Sequence, residues 1–206
     1  MKLKKLKNIE KKYFGLIFVI VIILVAVTGG YFLLNTGNEA KYYENYGLQY
    51  KAINNATDTS SNLIASIFSS MMVSEGINLE DEDLNLTKNT NSNVNDDVDS
   101  AKNNILIAIN YDHEMIKYAK TGLQKKYAEI LNQQANAMLK SMDLIKELSI
   151  ASKNNEQGKV DNITAQLEEI NNQMDGFQHE LDDMKNQDTN FKTSLEKIEN
   201  GETDEN

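Results

Sequence analysis

The sequence predicts an all-α protein, with one N-terminal transmembrane helix followed by an extracytoplasmic antiparallel bundle of three long helices, or four, with coiled-coil packing. Three observations support this prediction: an uncharged apolar run at residues 13–34, a seven-residue apolar repeat at residues 160–198, and no proline among 206 residues. A proline inside a helix costs about 3 kcal/mol. Its absence therefore suits long, unbroken helices.

The composition narrows the chemistry and divides the charge unevenly. The chain has no cysteine, which excludes disulfides, thiolate catalysis and a lipid-modified cysteine. All 21 basic residues are lysine, and six of them lie in residues 1–12, where the net charge is +5. The remainder carries −15. We expect so acidic a domain to avoid nucleic acid and anionic headgroups.

The apolar run at residues 13–34 has the length of a membrane span, which needs about 20 residues. Aromatic pairs at both ends would lie at the bilayer interfaces, and the lysines at residues 1–12 would stay in the cytoplasm. The sequence thus predicts a basic cytoplasmic tail (1–12), an anchor in the lipid bilayer (13–34) and an outer domain (35–200). The expected location is the plasma membrane, single-pass, with the C-terminal domain outside.

Two other interpretations of the N-terminus remain open. A cleaved signal peptide would end near residues 28–30, although its apolar region usually has 7 to 15 residues and here continues to Leu34. The stretch from Lys11 to Gly15 resembles a prepilin signal. However, Phe14 rather than a basic residue precedes Gly15, and Ile20 stands where type IV pilins usually carry glutamate.

The outer domain begins with helical spacing and then loses it. Tyr42, Tyr46, Tyr50 and Ile53 recur at intervals of three or four residues, which predicts a helix rising from the membrane. Four tyrosines at residues 42–50 could form a binding patch, but tyrosines at this spacing more often belong to a bundle core. Residues 76–95 are acidic and rich in asparagine, and we interpret them as a distal loop.

The middle segment, residues 97–152, contains a broad apolar face from Leu123 to Ala151 that could contact two neighbouring helices. The apolar stripe slips in phase beside Thr121 and Gly122, which indicates a kink or a break. Residues 153–158 (KNNEQG) are typical of a turn between helices.

The clearest pattern is the seam of the last helix, in which apolar residues alternate at spacings of three and four. Eleven of its twelve positions are apolar, which predicts one coiled-coil helix over more than five heptads. Asp188 is the polar exception, and on this basis replacing it by leucine would stabilise the domain. The seam consists of Val160, Ile163, Leu167, Ile170, Met174, Phe177, Leu181, Met184, Asp188, Phe191, Leu195 and Ile198. Residues 201–206 are predicted to be a disordered tail.

No residue pattern predicts catalysis, a cofactor or a metal. His113, between Asp112 and Glu114, fits a solvated helix face better than a metal site, and His179 falls at an outward-facing heptad position. Residues 91–99 alternate oxygen-bearing side chains. They lack the glycine and glutamate that an EF-hand requires. Candidate glycosylation sequons begin at Asn55, Asn85 and Asn162, in the number expected by chance.

These features favour a non-enzymatic protein that acts as a scaffold or protein-interaction module of the cell envelope, through a protein partner or self-association. Single-span helical rods of this kind are similar in general layout to division and envelope-assembly factors. The alternative is a sensory or ligand-binding bundle, similar in outline to the outer four-helix domains of chemotaxis-type receptors. Such a bundle would have to work through a partner, because the sequence contains no second span or output domain.

Overall fold

The computed structural model of the protein describes residues 37–74 and 94–201. The predicted cytoplasmic tail, the predicted anchor, nearly all of the predicted distal loop and residues 202–206 lie outside these ranges. Within them, no helix combines the length and the apolarity needed to cross a bilayer.

The described residues form five helices and no strand, which agrees with the predicted all-α class. The four long helices are α1 (Gly37–Ser74), α2 (Val94–Tyr118), α3 (Gly122–Lys153) and α4 (Gln157–Lys185). A short fifth helix, α5, spans Thr189–Asn200. The architecture is therefore a four-helix bundle with an added helix.

Side-chain contacts define the directions of the long helices. Lys102 and Lys146 pair with Asp143 and Asp99 respectively, so α2 and α3 run antiparallel. A Lys126–Glu180 pair shows the same for α3 and α4. By contrast, α1 and α3 run parallel, because Tyr42 contacts Gln124 and Ser60 contacts Met142, each pair 82 positions apart. The bundle is thus up-down-up-down, and α1 begins at the end where α4 stops.

The core lies along stripes in which buried residues alternate at spacings of three and four. On α2 these are Val98, Ala101, Ile105, Ala108, Asp112 and Met115. Helices with this spacing keep one narrow face toward their neighbours, as in left-handed bundles. Asp112 is the only charged side chain on the α2 stripe.

A turn of three residues separates α2 from α3, so the middle segment is two antiparallel helices. Thr121 is the N-cap of α3: its hydroxyl oxygen accepts from Gln124 N at 3.0 Å, and Gln124 Oε1 accepts from Thr121 N at 3.2 Å. This reciprocal capping box satisfies amides that a helix start leaves free. The phase slip in the sequence therefore marks a true break, and the three-helix version of the prediction is wrong.

The helix predicted from Val160 to Ile198 is also two helices. It ends at Lys185, and α5 starts at Thr189 after the hinge Asn186–Asp188. Ten of the twelve predicted seam residues are buried, Phe177 is half-buried and Asp188 is exposed. The single continuous helix was a wrong prediction, because heptad spacing continues through the hinge while the backbone turns there.

Candidate interaction site at the aromatic end of the bundle

At the end of the bundle where α1 begins, five aromatic rings contact one another, and we call them the aromatic cluster: Tyr42, Tyr43, Tyr46, Tyr127 and Phe191. Phe191 of α5 lies at its centre. The Phe191 ring stands edge-on to that of Tyr127, with centroids 5.1 Å apart, and lies 6.4 Å from that of Tyr42. Aromatic pairs at such distances contribute about 0.5–1.5 kcal/mol beyond area burial. The cluster therefore joins α1, α3 and α5.

Two buried tyrosines connect α1 to its neighbours by hydrogen bonds as well as by packing. Tyr42 is 0% exposed, and its hydroxyl donates to the backbone oxygen of Gln124 at 2.9 Å. Tyr46 is 3% exposed, and its hydroxyl donates to Oε1 of Glu199 in the last turn of α5. Of the sequence's two interpretations of these tyrosines, core and surface patch, the structure shows core for Tyr42, Tyr46 and Tyr50.

Lys185 and Glu199 complete this set of polar contacts. Nζ of Lys185 lies 2.5 Å from Oε1 of Glu199, and both side chains are largely buried. The three residues Tyr46, Glu199 and Lys185, here called the latch, join α1, α5 and α4. A charge-assisted contact in a partly desolvated setting is stronger than a surface pair. The latch therefore fixes the position of the C-terminal turn of α5 against α1 and α4.

The tyrosine hydroxyls of the cluster remain protonated at physiological pH. Burial is the largest cause that raises the pKa of Tyr42, of Tyr46 and of Tyr127. The nearby Glu199 charge adds to this effect at Tyr46 and Tyr127, since a phenolate beside a carboxylate is unfavourable. These groups therefore act as hydrogen-bonding and packing groups.

Asp188 begins α5 rather than lying on a packed seam. Its backbone is extended, and its Oδ1 accepts from the amides of Asn190 at 2.9 Å and Phe191 at 3.0 Å. An aspartate at this position accepts hydrogen bonds from two amides that the helix start leaves free. Its negative charge also interacts favourably with the positive end of the helix dipole. Leucine at residue 188 would remove this cap, so we expect Asp188→Leu to weaken α5, contrary to the expectation from the seam. An aspartate just before an apolar stripe was the sequence signal for this start.

Asp112, the neighbour of His113, lies in the core, which the sequence analysis did not predict. It is 0% exposed, and neither carboxyl oxygen has a hydrogen-bond partner among the described residues. Burial raises the pKa of the Asp112 carboxyl well above its ordinary value. The heptad spacing that links Asp112 to Ile105 and Met115 was the missed signal. His113, beside it, points to solvent.

Five other buried side-chain atoms have no hydrogen-bond partner among the described residues: Asn54 Oδ1, Thr57 Oγ1, Asp97 Oδ2, Asn132 Nδ2 and Asn171 Oδ1. Because α3 and α4 run antiparallel, Ala135 of α3, nine residues after Lys126, lies level with Asn171 of α4, nine residues before Glu180. The α1–α3 register places Ile53 at that level too, so Asn54 and Asn171 share one layer. Buried polar atoms normally have partners. Being level along the bundle does not bring the Asn54 and Asn171 side chains together, because α1 and α4 do not approach each other closely within the described ranges.

The remaining predicted positions form no common site. His179 is exposed, and the described residues contain no group of three His, Cys, Asp or Glu arranged to hold a metal ion. Asn55 on α1 and Asn162 on α4 are exposed, whereas Asn85 lies outside the described residues. In the first of these sequons Thr57 is buried.

Comparisons of the chain with protein-family models, with curated proteins and with solved structures find no significant match.

Proposed function

We propose that this protein is a membrane-anchored, extracytoplasmic helical bundle that acts as a scaffold or protein-interaction module of the cell envelope. The observation that carries the proposal is the position at which α1 starts. Helix α1 begins at Gly37, just after the apolar run at 13–34, and is already packed into the core at Tyr42. A bundle whose packing begins this close to its anchor would be a rigid domain held near the bilayer. Such a position suits a scaffold.

The surface chemistry agrees with protein binding more than with binding to headgroups. Most ion pairs of the bundle are exposed, as in Lys117–Glu114 and Lys125–Glu129, and such pairs add little stability. The domain carries an excess of acidic residues, which would keep it from adhering to an anionic membrane surface.

Topology can be tested with single cysteines, because the natural chain has none. Asn172→Cys, on an exposed position of α4, should react with a membrane-impermeant maleimide on intact cells. Lys4→Cys should react only after permeabilisation, and both variants should sediment with membranes. The reverse labelling would overturn the orientation. A mature chain that has lost residue 4 would overturn the retained anchor.

A second candidate function is a sensory or ligand-binding bundle that works through a partner. Buried polar atoms without a hydrogen-bond partner among the described residues, at Asn54 and Thr57 on α1 and at Asn171 on α4, favour it. Native mass spectrometry of protein purified from its own membranes would distinguish the two functions. A stoichiometric small molecule that is lost in Asn171→Leu would favour ligand binding, and a recurrent protein partner would favour the scaffold.

A further inference from the structure

Helix α5 covers the side of the bundle between α1 and α4, which do not approach each other closely in the described part of the chain. Phe191, Leu195 and Ile198 of α5 are all buried. Phe191 contacts Tyr42 of α1 and Tyr127 of α3, and Ile198 lies against Gly47 of α1. Helix α5 therefore lies in a groove formed by residues of the other helices.

The connection between α4 and α5 is short and polar. It consists of Asn186, Gln187 and Asp188, of which Asn186 keeps helical dihedrals and Asp188 is extended. The amide cap at Asp188 exists only while the chain turns there. The heptad spacing, in contrast, passes through the hinge unchanged and suits a helix that does not turn. The turn at the hinge is therefore stabilised by the Asp188 cap and by the packing of α5, and not by the spacing of apolar residues.

We propose that α5 is an exchangeable arm, and that two copies of this chain associate by placing each α5 in the groove of the other. The exchanged helix would make the contacts that it makes in one chain: the ring of Phe191 in the aromatic cluster, and Glu199 between Tyr46 and Lys185. Only the hinge would change. Exchange of an identical element is a common route to symmetric dimers.

The geometry of anchoring supports a second copy as the occupant. If both chains are anchored through residues 13–34, their aromatic ends lie at the same height beside the bilayer. Three extended hinge residues span roughly 10 Å, close to the distance between the axes of packed helices. An arm could therefore reach a neighbour at its side. This step deepens the proposed scaffold function and rests on it, since a shared membrane concentrates and aligns the copies.

The exchange can be tested in the full chain with one cysteine in each of two differently tagged copies, Gly47→Cys and Ile198→Cys. A Cβ at residue 47 would lie 3.4 Å from Cγ2 of Ile198, an approach that suits a disulfide. Because each copy carries one cysteine, a disulfide between residues 47 and 198 forms only between chains. Co-expression followed by mild oxidation should give the mixed covalent dimer on a non-reducing gel. Each variant alone should give little.

The hinge provides a second measurement. Asp188→Ala, added to both copies, removes the cap and should raise the equilibrium for opening roughly fivefold per hinge, and with it the yield of mixed dimer. Thr193→Ala, away from the cap contacts, is the matched control and should leave the yield unchanged. Absence of mixed dimer in both hinge backgrounds would overturn the exchange, as would equal yields from Ile198→Cys alone. Failure of the membrane anchoring on which the scaffold function rests is seen separately, as loss of sedimentation with membranes.

Discussion

Nζ of Lys185 lies 2.5 Å from Oε1 of Glu199, and the same oxygen accepts the hydroxyl of Tyr46. One carboxylate of α5 thus contacts residues of two other helices, α1 and α4. Glu199→Leu would leave a buried phenol and a largely buried ammonium without their acceptor, and should weaken α5 docking by about 1–3 kcal/mol. Hydrogen exchange of the α5 amides measures this.

The matched control for that change is Glu196→Leu, one turn earlier on α5. Glu196 pairs with Lys192, but its side chain is 48% exposed. We expect α5 protection to change by less than about 0.5 kcal/mol. Equal effects of the two substitutions would show that the latch does not hold α5.

The buried carboxyl of Asp112 should make stability depend on pH. Its pKa in the folded chain is raised above the ordinary value of 3.8, so its contribution favours folding below that value and is lost as pH rises through the folded-state pKa. Asp112→Asn should therefore stabilise the isolated bundle at pH 7 by at least about 1 kcal/mol. The gain over the natural chain should shrink at pH 5.

Urea unfolding at the two pH values provides the measurement for Asp112. Asp143→Asn is the control, since Asp143 is an exposed partner of Lys102. That variant should not become more stable at pH 7. A gain from Asp112→Asn that is the same at both pH values would contradict a raised pKa.

The capping box should set the turn between α2 and α3. Thr121→Ala removes an acceptor for the amide of Gln124 and should cost about 1 kcal/mol. Thr59→Ala, inside α1, removes only a bond to the backbone oxygen of Asn55 and should be neutral or slightly stabilising, because alanine favours helices. Thermal melts of the two variants compare them directly, and equal melting temperatures would argue against the cap.

The packed stripe of α4 can be tested with two isoleucines that differ in exposure. Ile170 is 2% exposed, and Ile170→Asp would bury an unpaired charge at a cost of several kcal/mol. Ile150 on α3 is 49% exposed, so Ile150→Asp should change stability by less than about 0.5 kcal/mol. Circular dichroism on heating should show loss of helix at lower temperature only for the first variant. A harmless Ile170→Asp would contradict the packing of α4.

Local sequence was sufficient for features that depend on periodicity. The buried stripe of α4, from Val160 to Met184, follows directly from residues seven apart. The turn between α3 and α4 lies at residues 154–156, inside the polar segment where the sequence indicates one. The phase slip at Thr121 was also visible, although kink and break could not be separated until the capping box was seen.

The sequence by itself determined the all-α class, because apolar spacing at three and four residues allows a helix to bury one face whatever its partner is. Only the tertiary structure decided that Asp188 caps α5, that Glu199 meets Tyr46 some 153 positions away, and that Asp112 is enclosed by its neighbours. Heptad spacing is the same in a straight helix and in one that breaks. The break depends on the hydrogen bonds from the Asn190 and Phe191 amides to the Asp188 carboxylate and on the packing of Phe191 against Tyr42 and Tyr127. The packing involves segments that are distant in the sequence.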